Sequence, residues 1–260
     1  MNSKENIALC VVADFKYLYK NFNRIYNQIR DIGNYSGDIL VITNILLLKF
    51  FIKNLRRSNN VYLYKFKKIK FNNKSEEILA NLKSQPNRHL TKNFQWHKLY
   101  LFNEKIKKWD YVFYLDINMT IHEDINPILK ILPKNEILAR ADGYPDYKWK
   151  LKSQFDTTHE IFHELKIVFD LNTVNYFQTG ILYFDTKIIE ENTFKDIVEL
   201  VNRFPISITN EQGILNLYFK YVNPKYTELV DYVDGKLSYF YWYDKVDKTI
   251  ISKALTKKNK

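Results

Sequence analysis

The sequence predicts a single α/β domain with a mostly parallel, Rossmann-like central sheet flanked by helices. Short runs of β-branched and aromatic residues alternate with helical patterns, which is typical of such a sheet. The chain has 260 residues, of which 46% are hydrophobic and 16% aromatic, enough for one full core and too apolar for a disordered protein. We find no internal repeat, linker or break in composition, so we expect one domain.

Strands and helices alternate regularly in the first quarter of the chain. The apolar runs have the length of buried strands, and Gly33 is a plausible end for the first helix. The order strand, helix, strand, helix, strand indicates parallel pairing. The predicted strands are 7–13, 38–43 and 61–66, and the predicted helices are 17–32 and 45–55.

The rest of the chain is less regular. Residues 142–175 have weak periodicity and many aromatic and charged side chains, and the last forty residues suggest short strands. Cys10, the single cysteine, lies in an apolar run and is expected to be inert core. Further strands are predicted at 111–115, 137–141 and 180–184, and further helices at 91–107, 125–132, 187–204 and 210–219.

The strand at 111–115 ends abruptly in polar residues. Asp116 and Asn118 are two positions apart, so in an extended chain their side chains leave on one face. Open α/β sheets bind ligands at the carboxyl ends of their strands. Two hard oxygen donors at that edge can hold a divalent cation that also binds phosphates. The alternative is that these residues only end the strand, as Asp and Asn often do.

The formal charge of +11 favours an anionic partner. No nucleic-acid motif accompanies the basic residues, so nucleic acid is not the expected partner. Neither a dinucleotide fingerprint G-x-G-x-x-G nor a P-loop is present, so any phosphate binding needs a metal or basic side chains. The basic tail 253–260 is either a solvated, frayed end or a weak contact for a membrane surface or substrate.

Targeting signals are also missing from the sequence. We find no apolar run of 18 residues and no signal-peptide pattern at the start, so we expect a cytoplasmic protein. The oligomeric state is left open.

Four segments together resemble a known family. They are 94–99 (FQWHKL), 114–118 (YLDIN), 176–182 (YFQTGIL) and 210–216 (NEQGILN). In this order they make the chain similar to family-8-like retaining glycosyltransferases of the GT-A fold, the group of glycogenin and bacterial galactosyltransferases. The resemblance spans residues 7–219. It implies a GT-A-like domain at 1–252, with a nucleotide-binding part to about residue 118 and an acceptor-side part from 119 to 252.

The resemblance also implies a reaction. A hexose would pass from a nucleotide-sugar donor, expected to be a UDP-sugar, to an unknown glycan or protein acceptor, with retention of configuration and with Mn²⁺ or Mg²⁺. Lys98 would contact the donor phosphates, and Asp116 and Asn118 would bind the metal and the nucleotide. We also expect Ala13, Asp14 and Lys236 to bind the nucleotide and Asp234 to bind the metal.

Five polar residues are expected to orient sugar hydroxyls: Asp142, Gln178, Thr179, Glu211 and Gln212. Each has a structural alternative. The alternative is that Gln178 and Thr179 only open a strand and that Glu211 only caps the helix whose first turn it enters.

The sequence departs from the family pattern around the metal. Asn118 stands where the family has a second aspartate, and no histidine follows His163, so the late H-x-x-G-x-x-K-P-W segment is not visible. The nearest remnant is Asp234-Gly235-Lys236. Gln178 and Glu211 are each one methylene longer than the family's usual Asn and Asp. We therefore expect the free protein to hold a divalent cation poorly, with the nucleotide's pyrophosphate supplying much of the binding.

Two other functions remain open at this point. His159, Glu160 and His163 form H-E-x-x-H, which on a helix places two imidazoles on one face beside a general base, as in zinc hydrolases. No third zinc ligand is apparent. The second alternative is a non-catalytic nucleotide-sugar-binding protein of the same fold, which the missing third metal ligand would favour.

Overall fold

A seven-stranded sheet forms the centre of the molecule, in the order β3-β2-β1-β4-β7-β6-β8. The computed structural model describes residues 5–45, 52, 60–82, 93–142, 147–229, 240–241 and 249–253. The strands of the sheet are β1 (Ile7–Val12), β2 (Asp38–Thr43), β3 (Val61–Lys65), β4 (Tyr111–Leu115), β6 (Ile137–Ala139), β7 (Ile181–Asp185) and β8 (Tyr226–Glu228).

The pairing confirms the mostly parallel sheet that the sequence predicts. β1, β2, β3 and β4 pair in parallel, and β6 pairs with β8 in parallel. The strand β7 runs antiparallel to both of its neighbours, β4 and β6. Because Leu115 lies opposite Ile181, the loop that begins at Asp116 meets the segment around Gly180, whose carbonyl accepts from the Asp116 amide at 2.8 Å.

The sheet is buried on both faces. Leu9 and Val11 of β1 point into one apolar cluster, and Ala8 and Cys10 point into the other, as expected for a covered parallel strand. Cys10 is therefore core, as predicted.

Six α-helices are described around this sheet. Some predicted helices are shorter in the structure, and two helices, at 73–81 and 161–168, were not predicted. The predicted helix 45–55 lies almost entirely outside the described residues. The α-helices are α1 (Phe15–Asn27), α2 (Asn73–Asn81), α3 (Asn126–Leu129), α4 (Ile161–Val168), α5 (Thr193–Arg203) and α6 (Glu211–Leu217).

The segment predicted as an α-helix at 91–107 has another form. It consists of two 3₁₀ helices, Asn93–Phe102 and Glu104–Lys108. Trp96 to Phe102 are all buried, so this segment packs on every side and has no solvent-facing stripe. Packing on all sides here overrides the local helical preference.

A small second sheet brings the end of the described chain back to the centre. β10 (Ile251–Ser252) pairs antiparallel with β5 (Thr120–Ile121) and parallel with β9 (Phe240–Tyr241). Ser252 lies opposite Thr120, so the next residue, Lys253, reaches the loop after β4. Within the described ranges, no helix has the length and apolar character needed to cross a membrane.

Candidate functional site

A cavity of about 620 Å³ opens at the carboxyl ends of β1, β2 and β4. Parallel pairing places these three strand ends at the same edge of the sheet, which is where ligands bind in open α/β folds. Five residues predicted to bind nucleotide line it: Ala13, Asp14, Lys98, Asp116 and Asn118.

Asp116 is the centre of a charged cluster in this cavity. Its Oδ1 accepts from the hydroxyl of Tyr114 at 2.6 Å and lies 3.1 Å from Nζ of Lys98. Its Oδ2 accepts from Nζ of Lys253 at 3.0 Å. Burial alone would raise the pKa of Asp116, but Lys98 and Lys253 outweigh burial and hold that pKa below its ordinary value. Asp116 is therefore a carboxylate at neutral pH.

Lys98 connects Asp116 to a second carboxylate. Its Nζ lies 2.8 Å from Oε1 of Glu211 and donates to the carbonyl of Thr179 at 3.3 Å. Its side chain is only 10% exposed. Burial would lower the pKa of Lys98, but the two carboxylates outweigh it and raise that pKa. Lys98 is therefore charged at neutral pH, between Asp116 and Glu211.

Glu211 and Gln212 begin a helix, α6, that is buried along its whole length. Glu211 Oε1 also accepts from the hydroxyl of Thr179 at 3.0 Å, while its buried Oε2 has no partner among the described residues. The Gln212 amide is engaged at both ends: it accepts from the Thr179 amide at 3.2 Å and donates to Gln154 at 2.7 Å. Gln212 thus fixes the backbone at Thr179.

Asp142 and Gln178 form a separate pair. An isolated bridge between Ala141 and Phe177 brings the two segments together, and Gln178 Nε2 donates to Asp142 Oδ1 at 2.7 Å. The hydroxyl of Tyr176 also donates to Asp142. The other amide atom, Gln178 Oε1, is buried without a described partner. Gln178 precedes Thr179, so the pair adjoins the Lys98 cluster along the chain.

No protein-family model and no curated protein sequence matches the chain. Solved structures of glycosyltransferases do match its fold. The galactosyltransferase LgtC, in complex with donor and acceptor sugar analogs, superposes with a TM-score of 0.58 at 14% identity, over 96% of this chain and 87% of LgtC. The chain has the GT-A fold.

Two further GT-A matches are with larger chains. The bifunctional glycosyltransferase WbbM gives a TM-score of 0.56 at 19% identity and covers 88% of this chain. The apo form of the glycosyltransferase GlyE from Streptococcus pneumoniae TIGR4 gives 0.57 at 13% identity and covers 98%. The present chain spans 39% of WbbM and 55% of GlyE.

The described residues around Asp116 do not by themselves form the cation site that the GT-A resemblance implies. Both carboxylate oxygens of Asp116 already accept from ammonium groups, and a divalent ion beside them would be repelled by two positive charges. Asn118 lines the cavity but is neutral. Within the described ranges, no group of three or more His, Cys, Asp or Glu is placed to share a metal ion. Asp234 and Lys236 lie outside the described residues.

The H-E-x-x-H segment also lacks the geometry of a zinc site. The helix α4 begins only at Ile161, so His159 lies before the helix and does not share a helical face with His163. His159 Nδ1 accepts from the Ile161 amide at 3.2 Å, which is a local turn contact, and His163 is exposed. The described part of this GT-A domain therefore gives no support to a zinc hydrolase.

Lys253 is a site residue that the sequence analysis assigned to the basic tail. It counts as the first residue of the basic tail by composition, yet it lines the cavity and contacts Asp116. The apolar pair Ile250 and Ile251, just before it, is the local signal of a buried strand. The contact itself spans 137 positions and has no signal in local sequence.

Proposed function

We propose that this chain is a glycosyltransferase that moves a hexose from a nucleotide-sugar to an acceptor. One observation carries the proposal: all four segments of the family resemblance meet at a single nitrogen. Within 3.3 Å of Lys98 Nζ lie Oδ1 of Asp116, Oε1 of Glu211 and the carbonyl of Thr179. Segments that are far apart in sequence thus converge at Lys98, which lines the cavity, as a shared binding site requires.

The chemistry of these groups suits a diphosphate leaving group. Cleavage at the anomeric carbon leaves negative charge on the nucleoside diphosphate, and preorganised cations stabilise such charge in a site that excludes water. Lys98 and Lys253 line the cavity, and their ammonium groups lie 3.1 Å and 3.0 Å from the Asp116 carboxylate. We infer a UDP-sugar as the donor from the resemblance alone.

The sugar would lie toward Glu211 and Gln178. Each has a buried oxygen without a described partner, and buried polar atoms normally have one. Neither residue lines the cavity, so these two oxygens would accept from sugar hydroxyls only after the side chains turn toward it. Asp142 holds the Gln178 amide in place. From the family resemblance we infer retention of configuration and a glycan or protein acceptor. LgtC binds donor and acceptor sugar analogs, which is consistent with two sugar sites.

A nucleotide panel tests the proposal. Thermal shift with UDP-, GDP-, ADP- and CMP-sugars should show a rise in melting temperature for one nucleotide class, because a ligand that binds the native state stabilises it. Release of free nucleotide should then follow on addition of an acceptor. Binding without any turnover across a broad acceptor panel would favour a non-catalytic binding protein. No binding by any member would overturn the proposed function.

Lys98→Met gives a sharper test of the site. The variant keeps the aliphatic length and removes the ammonium, so UDP binding should weaken by about 1.5–3 kcal/mol, the size of a hydrogen bond to a charged group. Uridine lacks phosphates and should bind almost unchanged. Calorimetry with both ligands, on variant protein shown by circular dichroism to be folded, measures the difference. Equal losses for the two ligands would mean that Lys98 supports the fold instead of the phosphates.

A further inference from the structure

Lys253 is held at Asp116 by the architecture of the small sheet. Pairing of Ser252 with Thr120 fixes the backbone, and Ile250 and Ile251 are buried in the core just before it. Lys253 Nζ then lies 3.0 Å from Asp116 Oδ2, with 24% of the side chain exposed toward the cavity that it lines. The small sheet thus fixes the position of Lys253 through the residues that precede it.

The charge of the described residues that line the cavity is opposite in sign to the charge expected around a divalent cation. Divalent-cation sites concentrate carboxylates. Among the described residues that line this cavity, two are acidic and four are lysines. The acidic residues are Asp14 and Asp116, and the lysines are Lys16, Lys68, Lys98 and Lys253. The described lining therefore carries a surplus of positive charge before any metal is added, although Glu211, behind it, pairs with Lys98.

We propose that the ammonium of Lys253 takes the role of the divalent cation beside Asp116, so that this chain binds a nucleoside diphosphate without metal. An ammonium is a compact cation with three N–H donors, which suits phosphate oxygens. Asp116 then positions Lys253 and does not ligate a metal. This accounts for the neutral Asn118, because a second carboxylate is not needed where no divalent ion has to be held. The inference rests on the proposed function.

Titration calorimetry with UDP tests the proposal directly. Wild-type protein should bind UDP in EDTA with an affinity within about threefold of that in Mn²⁺. Lys253→Met should lose about tenfold to a hundredfold in EDTA, as expected when a charged hydrogen bond is removed. Lys253→Arg keeps the charge and should retain most of the metal-free binding.

Lys187→Met is the matched control for net charge. Lys187 is 80% exposed and lies next to Asp185, which pairs with Tyr111 at the opposite edge of the sheet. Lys187→Met removes one positive charge, as Lys253→Met does, but far from the cavity. The Lys187→Met variant should therefore bind UDP with the affinity of wild type.

The outcomes separate the inference from the proposed function. UDP binding by wild-type protein that requires Mn²⁺ and is abolished by EDTA would overturn the role of Lys253 and leave the glycosyltransferase proposal standing. Metal-free binding that is unchanged in Lys253→Met would also overturn that role. If no nucleoside diphosphate binds in either condition, the proposed function fails and the inference fails with it.

Discussion

Asp116 shows how the position of a residue can be predicted from sequence while its partners in the fold are not. Its place at the end of a buried strand identifies it, and the structure places it in the cavity. Its partners come from distant parts of the chain: Lys98 precedes it by 18 positions, and Lys253 follows it by 137. The local sequence pattern therefore predicted an acidic group at the carboxyl end of the strand, where ligands bind. It did not predict that two lysines would contact both oxygens of that group.

The pKa of Asp116 leads to a pH-dependent prediction. Because that pKa is lower in the folded protein, the ionised carboxylate contributes stability that is complete above its unfolded pKa, about 3.9. The contribution is lost as the pH falls below that value toward the folded pKa. The free energy of unfolding of Asp116→Asn should therefore lie below that of wild type at pH 7, and the difference should shrink between about pH 4 and pH 2.

Urea denaturation of both proteins over this pH range measures the difference. Other carboxylates titrate in the same range and contribute to both curves, so the comparison isolates Asp116. A gap between the two curves that stays constant down to pH 2 would contradict the ion-pair account.

At the level of secondary structure, Asp14, the residue immediately before the helix α1, has two candidate roles. The Asp14 carboxylate accepts from the Tyr17 amide at 2.9 Å, which caps the helix, and Asp14 also lines the cavity. Asp14→Ala should lower the free energy of unfolding by about 1 kcal/mol through loss of the cap. Asp14→Asn keeps a capping oxygen and should cost little.

Chemical denaturation of the two variants, followed by UDP titration of Asp14→Asn, separates capping from ligand contact. Weaker UDP binding at unchanged stability would support the nucleotide contact predicted from the sequence. Equal stability of Asp14→Ala and wild type would rule out the capping role.

The helix α6 depends on a glycine. A Cβ on Gly213 would lie 2.5 Å from Oγ of Ser207 and 3.1 Å from Cζ of Phe155, so only glycine lets the helix pack this closely. Gly213→Ala should destabilise the protein by about 1–3 kcal/mol, the usual cost of overpacking. Ser207→Ala removes the nearest atom, so the double variant should cost less than the sum of the two single changes. Additive costs, measured by urea denaturation, would show that the contact with Ser207 is not the cause.

The elements themselves were predicted with uneven success, for physical reasons. Apolar runs give β1, β2 and β4 almost to the residue, because a strand buried on both faces leaves an uninterrupted signal. The segment Asn93–Phe102 was predicted as α-helix and is a 3₁₀ helix, since its conformation is set by neighbours on all sides. The helix Ile161–Val168 lies where periodicity is weak, so the sequence did not reveal it.

At the scale of the whole molecule, the parts of the chain before and after residue 118, which the sequence predicts to bind nucleotide and acceptor, share one sheet. The strand β4 of the first part pairs with β7 of the second over five residue pairs. The buried ion pair of Lys98 with Glu211 also joins the two parts. The predicted boundary near residue 118 therefore runs through one sheet, and we expect the two parts to unfold together.

Hydrogen exchange can test this cooperative unfolding. If the parts form one unit, the slowest amides of β1 and β7 should share one opening free energy. Gly213→Ala, in the second part, should then lower both by the same amount, although β1 lies in the first part and the atoms nearest to a Cβ on Gly213 belong to Ser207 and Phe155. Mass spectrometry of peptides from the two strands, at increasing urea, measures both values. A decrease confined to peptides of the second part would show that the two parts unfold separately, and would place a domain boundary near residue 118.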